Sequence, residues 1–289
     1  MKKNSQTHYE IQRPASNVLR LTFHFLIFLL LPSFLLLSSC QKTEKPTVVY
    51  PSPDTVTICF EHTVSGNPMI TDSLIYTTSL GYHYMVNDLQ YFISDLAFHY
   101  TNGNEIFVTD NDSIHYTDIG IPTSLKWNII KSHLRTGYCD SVSFIFGLSE
   151  KKNRSKRFLN PPERDMFWPE FLGGGYHYMK LNLKYKSDTM MMLMPFMFHM
   201  GIGQIYNGTS TNADSITGYV QNYFKVRLPL SGFKFEEGKK KTLTIRMNIE
   251  KWFDGTETFD FSKYAMGIMQ NEEGMSKAAR NGENVFSIQ

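Results

Sequence analysis

Short segments in which apolar and polar residues alternate recur along the chain after residue 55, with the spacing of β-strands. In the first segment Val56, Ile58, Phe60 and His62 share one face, because successive side chains of a strand point to opposite sides of a sheet. Comparable segments follow at residues 88–100, 142–148, 177–184, 190–199 and 243–249. The pattern predicts an all-β fold, an antiparallel β-sandwich with long loops and little helix.

Two segments do not show the clear alternation of a β-strand. Residues 127–134 fit either a short helix or a strand, and the pattern does not decide between them. Residues 274–280, which precede Asn281-Gly282, form the last predicted helix.

The first 39 residues have the pattern of a bacterial secretion signal. Basic residues precede an apolar run over residues 21–37, which ends in Leu37-Ser38-Ser39-Cys40. This ending resembles the lipobox of lipoproteins and predicts cleavage before Cys40 with lipidation of that residue; an uncut signal anchor is the alternative. Residues 40–54 are then a tether rich in Lys, Thr, Ser and Pro, and residues 55–289 are one domain. The expected location is the cell envelope, on the periplasmic side of a membrane or on the outer-membrane surface.

The predicted cleavage changes the charge of the protein. The whole chain carries +2, and residues 1–39 contain four basic groups and one acid, so the mature chain carries −1. No stripe of Lys and Arg with interleaved aromatic residues is present in the sequence. The composition therefore argues against a nucleic-acid partner.

Sequence motifs for catalysis are absent. The chain contains no GxSxG elbow, HExxH helix, phosphate loop or dinucleotide-binding fingerprint, so we expect a protein that is not an enzyme. Cys59 and Cys139 remain in the mature chain, and their spacing leaves open whether they form a disulfide.

Soft metal ligands are concentrated in residues 165–203. This stretch holds Trp168, a turn of three glycines and a methionine-rich strand that ends in His199. Thioether and imidazole groups suit Cu(I), whereas a hydrophobic core padded with methionine is the alternative interpretation. Apolar residues on both faces of the strand predict that it is central and buried, with Pro195 at a bulge or at an unpaired position.

His62 and His199 lie at the ends of two predicted strands, on faces shared with apolar residues. A sheet can hold imidazoles there at ligand distance while apolar neighbours exclude water. A dry site with few ligands stabilises Cu(I), so this pair is the candidate metal site, and a core role for each histidine is the alternative.

Several stretches, in order along nearly the whole mature chain, resemble the periplasmic copper-binding proteins encoded beside methanobactin genes and the wider MbnP-like family, which is common among lipoproteins of Bacteroidota. The matching stretches are Phe60-Glu61-His62, Leu89-Gln90-Tyr91-Phe92-Ile93-Ser94, Gly137-Tyr138, Ser143-Phe144-Ile145-Phe146-Gly147, Met166-Phe167-Trp168, Gly175-Tyr176-His177-Tyr178-Met179-Lys180, Phe198-His199-Met200-Gly201 and residues 278–286. The resemblance implies a β-sandwich that binds copper, with His62 and His199 as ligands.

The resemblance also implies a role for Trp168. In some members of the family a tryptophan is oxidised to kynurenine by a dihaem, MauG-like peroxidase and then helps to bind the metal, and Trp168 is the matching residue. The family segment often reads Met-aromatic-Trp-x-Trp, whereas Phe171 is the second aromatic residue here. If the modified residue belongs at that second position, this chain does not form the kynurenine. His177 and the methionines are not fixed by the motif and are assigned to the core or to the surroundings of the site.

A function of another class also fits the sequence. Loops rich in Tyr, Trp and Asn on a lipid-anchored sandwich suit a glycan-binding or adhesion module, in which exposed Trp127 or Trp252 would stack on sugar rings. A pocket that unites His62 and His199 favours the metal, whereas exposed aromatic platforms with separated histidines favour the glycan.

Overall fold

A computed structural model describes residues 51–130, 134–190, 192–208 and 212–289. The predicted signal segment, Cys40, Met191 and most of the tether lie outside the described residues. In the described part no helix is long and apolar enough to cross a membrane.

The described residues form fifteen strands, numbered in chain order. They are β1 (Thr55–Val64), β2 (Asn67–Pro68), β3 (Tyr76–Thr77), β4 (His83–Tyr100), β5 (Glu105–Phe107), β6 (Ile114–Asp118), β7 (Lys126–Ile130), β8 (Gly137–Phe146), β9 (Met179–Lys186), β10 (Met194–Met200), β11 (Ile202–Tyr206), β12 (Ile216–Gln221), β13 (Phe224–Phe235), β14 (Lys240–Asn248) and β15 (Phe286–Ile288). One α-helix, α1 (Glu272–Gly282), lies near the C-terminal end. Short 3-10 helices cover Asp110–Ser113, Pro122–Leu125, Glu163–Met166, Glu170–Leu172, Ala213–Ser215, Ile249–Trp252 and Phe261–Tyr264.

The strands form two sheets and a ribbon, and the predicted β-sandwich is confirmed. The smaller sheet has the order β15-β14-β1-β2, with β7 also beside β1, and the larger sheet has the order β10-β9-β4-β8-β13. Strands β3, β5 and β6 also pair with the long strand β4, while β11 and β12 form the ribbon. One pair departs from the antiparallel prediction, since β1 and β14 run parallel.

The core lies between the sheets and is rich in aromatic residues. In β1 the side chains of Val56, Ile58 and Phe60 are buried, as the alternation predicts, and His62 continues that row with partial exposure. Phe146 from β8 contacts Trp252 at a centroid distance of 5.3 Å. Burial of each such ring contributes on the order of 2 to 3 kcal/mol, which holds the sheets together.

The ambiguous segments are resolved by the structure. Residues 126–130 form strand β7, which pairs with β1, so the strand alternative is correct for the first part of that segment. The helix predicted at residues 274–280 is confirmed within α1, where the Asn271 side chain caps the first turn by accepting from the Gly274 N–H at 2.8 Å. Cys59 and Cys139 are both free, so the disulfide left open by the sequence is not formed.

The methionine-rich strand is not central, and that prediction was wrong. β10 lies at the end of the larger sheet, and the side chains of Met192 and Met197 are 71% and 37% exposed. Pro195 is accommodated because an edge strand does not need every N–H for pairing. The outer edge is partly covered by a later segment, in which the Ile268 N–H donates to the Met197 carbonyl at 3.1 Å.

Candidate metal centre

The centre is built on the pairing of β9 with β10. His199 in β10 lies directly opposite Lys180 in β9, and its Nε2 is 2.8 Å from Oδ1 of Asn182, two residues further along β9. An amide oxygen only accepts hydrogen bonds, so Nε2 carries the ring proton and Nδ1 keeps its lone pair. Nδ1 is buried and has no hydrogen-bond partner among the described residues. It is therefore an available metal ligand.

His177 is the second imidazole of the centre and lies two residues before β9. Its Nδ1 lies 3.0 Å from the carbonyl of Met166, which also accepts the His177 backbone N–H at 2.7 Å. A carbonyl accepts only, so Nδ1 carries the proton and Nε2 keeps its lone pair. The centroids of the two imidazole rings lie 5.3 Å apart with an interplanar angle of 87°. Metal–imidazole bonds are about 2 Å long, so this separation of the rings is compatible with one ion bound to both.

Trp168 packs against this pair. Its ring centroid lies 4.6 Å from that of His177, and its Nε1 donates to the Leu172 carbonyl at 3.1 Å. A Cβ at Gly201 would lie 2.6 Å from Cε3 of the indole, so only glycine leaves room for the ring at this point. Trp168 is fully buried and excludes water from one side of His177.

A turn of the chain explains why Trp168 and His177 meet. After Trp168, a 3-10 helix at Glu170–Leu172 and glycines with positive φ reverse the chain. The Trp168 N–H donates to the Gly175 carbonyl at 2.9 Å, which places the segment before Trp168 alongside the segment that enters β9. The sequence predicted the glycine turn but not the contact it produces.

Burial keeps both histidines neutral. It lowers the pKa of His177 to about 3, with added contributions from His199 and the positive charge of Lys180. Burial and Lys180 together lower the pKa of His199 to about 4. At neutral pH the site therefore offers two uncharged imidazoles in a water-poor setting, a donor set that suits Cu(I).

The described residues contain no group of three or more His, Cys, Asp or Glu side chains arranged to hold a metal ion.

These pKa shifts predict that the metal-free protein loses stability in mild acid. Burial lowers the pKa of His62, His115 and His199 to about 4 and that of His177 to about 3. Between the unfolded pKa near 6.5 and these folded values, the unfolded chain binds more protons, so stability present above pH 6.5 is lost as the pH falls toward 4. At pH 5, protonation of each of these histidines in the unfolded chain lowers the free energy of unfolding by up to about 2 kcal/mol relative to neutral pH.

Urea denaturation of the metal-free protein at pH 7.5 and pH 5 measures this loss. The His199→Gln variant should lose less stability on acidification than the wild type, because one of the contributing imidazoles is gone. Equal stability of the wild type at both pH values would contradict the account of the buried histidines.

The structure does not bring His62 to the other two predicted ligands. Its Nε2 lies 3.1 Å from the Tyr91 hydroxyl, between the two sheets. In β4, Tyr91 directly follows Gln90. Gln90 pairs with Lys180, and Lys180 pairs with His199, so Gln90 and His199 lie on the same face of the larger sheet. Consecutive strand residues point to opposite faces, so His62 and His199 lie on opposite sides of the larger sheet. His199 has His177, not His62, beside it.

His62 instead lines an open cleft of about 730 Å³ at the end of β1. The walls of this cleft include Glu61, Asp88 and Arg246, and Arg246 forms an ion pair with Glu61 at 3.2 Å. Burial lowers the pKa of His62 to about 4, so its ring is also neutral at pH 7. In this structure His62 belongs to the cleft and not to the centre around His199.

The aromatic platforms expected for a glycan-binding module are not present at the predicted residues. Trp252 is fully buried, and Trp127 is 5% exposed and stacks on His115 at a centroid distance of 5.1 Å. Neither indole is accessible to a sugar ring, so the expectation that they are exposed was wrong. Both rings serve the packing of the sandwich.

Comparisons with known proteins agree with this fold. The family model described as MbnP matches residues 53–270. Among solved structures, MbnP from Methylosinus trichosporium is similar, with a TM-score of 0.53 and 15% sequence identity over 81% of this chain and 98% of that one. A search of the curated proteins finds no significant match.

Proposed function

The chain belongs to the MbnP family, whose members are associated with copper, and we propose on that premise that it binds Cu(I) between His177 and His199. The observation that carries the proposal is the pair of buried, neutral imidazoles, each with one ring nitrogen fixed by a hydrogen bond; the other nitrogen of His199, Nδ1, has no hydrogen-bond partner among the described residues. Cu(I) accepts few ligands and prefers imidazole and thioether groups to carboxylates. This pair replaces the pairing of His62 with His199 that the sequence suggested.

The residues around the pair fix its geometry. Asn182 and the Met166 carbonyl hold the protonated nitrogens, which sets the tautomer of each ring and leaves the other nitrogen unprotonated. Trp168 and the turn that carries it cover His177. The expected result is a rigid site that needs little rearrangement when the ion arrives.

Trp168 is the candidate for oxidation to kynurenine. Its contact with His177 supports this part of the proposal, since a change in the ring alters the immediate surroundings of the metal ligand. The oxidation requires an electron acceptor, for which we propose a dihaem, MauG-like peroxidase as partner. Phe167, which precedes Trp168 and is 40% exposed, and Phe171, which is 62% exposed, offer apolar surface for such a partner.

We further propose that the protein is held in the cell envelope by a lipid on Cys40 and stores, delivers or senses copper without catalysing a reaction. The apolar run that ends in Leu37-Ser38-Ser39-Cys40 supports the anchor. The mature net charge of −1 supports a role without nucleic acid.

One experiment tests the metal, the modification and the anchor together. Full-length protein is purified in detergent from its native envelope after copper supplementation, and its metal content and intact mass are measured. We expect about one copper ion per chain, an N-terminus at Cys40 that carries acyl groups, and at Trp168 the mass change of losing one carbon and gaining one oxygen. Protein without copper would contradict the central proposal, and an unmodified Trp168 would remove the peroxidase from it.

A further inference from the structure

We propose that Lys180 makes the centre selective for monovalent ions, because its positive charge repels a divalent ion twice as strongly as Cu(I). The inference rests on the proposed function of the His177 and His199 pair. It assigns to this chain a residue that determines which metal the site accepts.

The position of Lys180 is fixed from three directions. In the sheet it lies directly between His199 of β10 and Gln90 of β4, on the face that carries the metal centre. Its Nζ donates to the Asp165 carbonyl at 2.5 Å, in the segment that leads to Trp168. Backbone pairing and this hydrogen bond hold the ammonium beside the imidazole pair. The positive charge of Lys180 contributes to the lowered pKa of both His177 and His199, as expected for a cation close to each ring.

Among the described residues, no salt bridge joins a carboxylate to Lys180, His177 or His199. The charged groups that lower the pKa of His177 are His199 and Lys180, and the charged group that lowers the pKa of His199 is Lys180. Burial lowers the pKa of Lys180, and the Asp165 carboxylate, which forms an ion pair with Arg164 at 2.9 Å, acts in the opposite direction. Sites for Zn²⁺ and other divalent ions commonly include anionic ligands that neutralise the ion. Here two neutral ligands are combined with a positive neighbour.

The Coulomb energy between two charges is proportional to their product. An ion of charge +2 therefore experiences twice the repulsion from Lys180 that an ion of charge +1 experiences at the same position. Removing the charge should raise the affinity for both ions. The increase in the logarithm of the association constant should be twice as large for the divalent ion as for the monovalent ion. A lysine that only packs its alkyl stem against the sheet would not produce this ratio.

The test compares Lys180→Gln with the wild type in full-length protein purified in detergent. The probes are Ag(I), a monovalent ion that avoids redox changes, and Zn(II), and their dissociation constants are measured by competition. We expect the variant to bind Ag(I) about tenfold and Zn(II) about a hundredfold more tightly. Lys180→Arg, which keeps the charge, should behave like the wild type. Lys184→Gln is the matched control, because Lys184 lies on the same face of β9 opposite Pro195, and it should leave both affinities unchanged.

The outcomes separate this inference from the proposed function. Tight Ag(I) binding by the wild type with equal changes for both ions in Lys180→Gln would overturn the selectivity while leaving the site intact. A loss of affinity for both ions would show that Lys180 acts through packing and would also overturn it. If the wild type binds neither ion, the site itself is refuted and the selectivity with it.

Discussion

Replacing His199 or His177 by alanine is expected to abolish tight Cu(I) binding. Each variant removes one of two imidazole ligands, and the ion then keeps a single protein nitrogen. The loss should exceed the roughly 10- to 100-fold decrease that follows removal of a residue that only orients a ligand. Competition with a Cu(I) chelator measures the affinity, and thermal unfolding of the metal-free variants checks that the fold is retained.

Two further variants make this prediction specific. His62→Ala should keep wild-type affinity, because His62 lies on the other side of the larger sheet beside Tyr91. Asn182→Ala removes the hydrogen bond to His199 Nε2 and should weaken binding by about 10- to 100-fold without abolishing it. Loss of binding in His62→Ala with retention in His177→Ala would restore the pairing suggested by the sequence and contradict the structural one.

Trp168→Ala is expected to reduce the free energy of unfolding by about 3 to 5 kcal/mol, the range for removing a large aromatic side chain from a core. The indole is fully buried between His177 and Gly201, and its Nε1–H satisfies the Leu172 carbonyl. Trp168→Phe should keep much of the packing and lose mainly that hydrogen bond, an effect of about 1 kcal/mol.

Urea denaturation of unmodified protein, produced without the peroxidase, measures both Trp168 variants. Phe167→Ala is the matched control, because Phe167 is the neighbouring aromatic residue and is 40% exposed. That change should have a clearly smaller effect. A Trp168→Ala variant as stable as Phe167→Ala would show that the indole is not part of the core around the centre.

Local patterns in the sequence predicted most of the architecture. The alternation in β1 gave the correct buried face, because one side of that strand is packed and the other is not. Helix α1 was found from its end signals, and the glycine turn after Trp168 was found from its composition. These features depend on neighbours within a few residues, which is the information that a sequence pattern contains.

Features that depend on distant contacts were missed. The apolar character of β10 on both faces suggested a central strand, but its edge is covered by residues 266–268, which follow about 70 positions later. His177 was assigned to the core or to the surroundings of the site, because the family motif does not fix it. Its partnership with His199 depends on the pairing of β9 with β10 and on the turn that brings Met166 alongside. The sequence signal for this contact is the glycine turn after Trp168, because the turn leads directly into the segment that contains His177.

X-ray absorption spectroscopy of the Cu(I)-loaded protein tests whether His177 and His199 bind the ion, since it reports which atoms surround the copper. We expect a low-coordinate Cu(I) with the scattering of two imidazole rings and no sulfur, because the unprotonated nitrogens of His177 and His199 supply both protein ligands. A dominant sulfur contribution would contradict it. That result would assign the copper to the exposed methionines of the β10 edge, such as Met197, instead of the buried histidine pair.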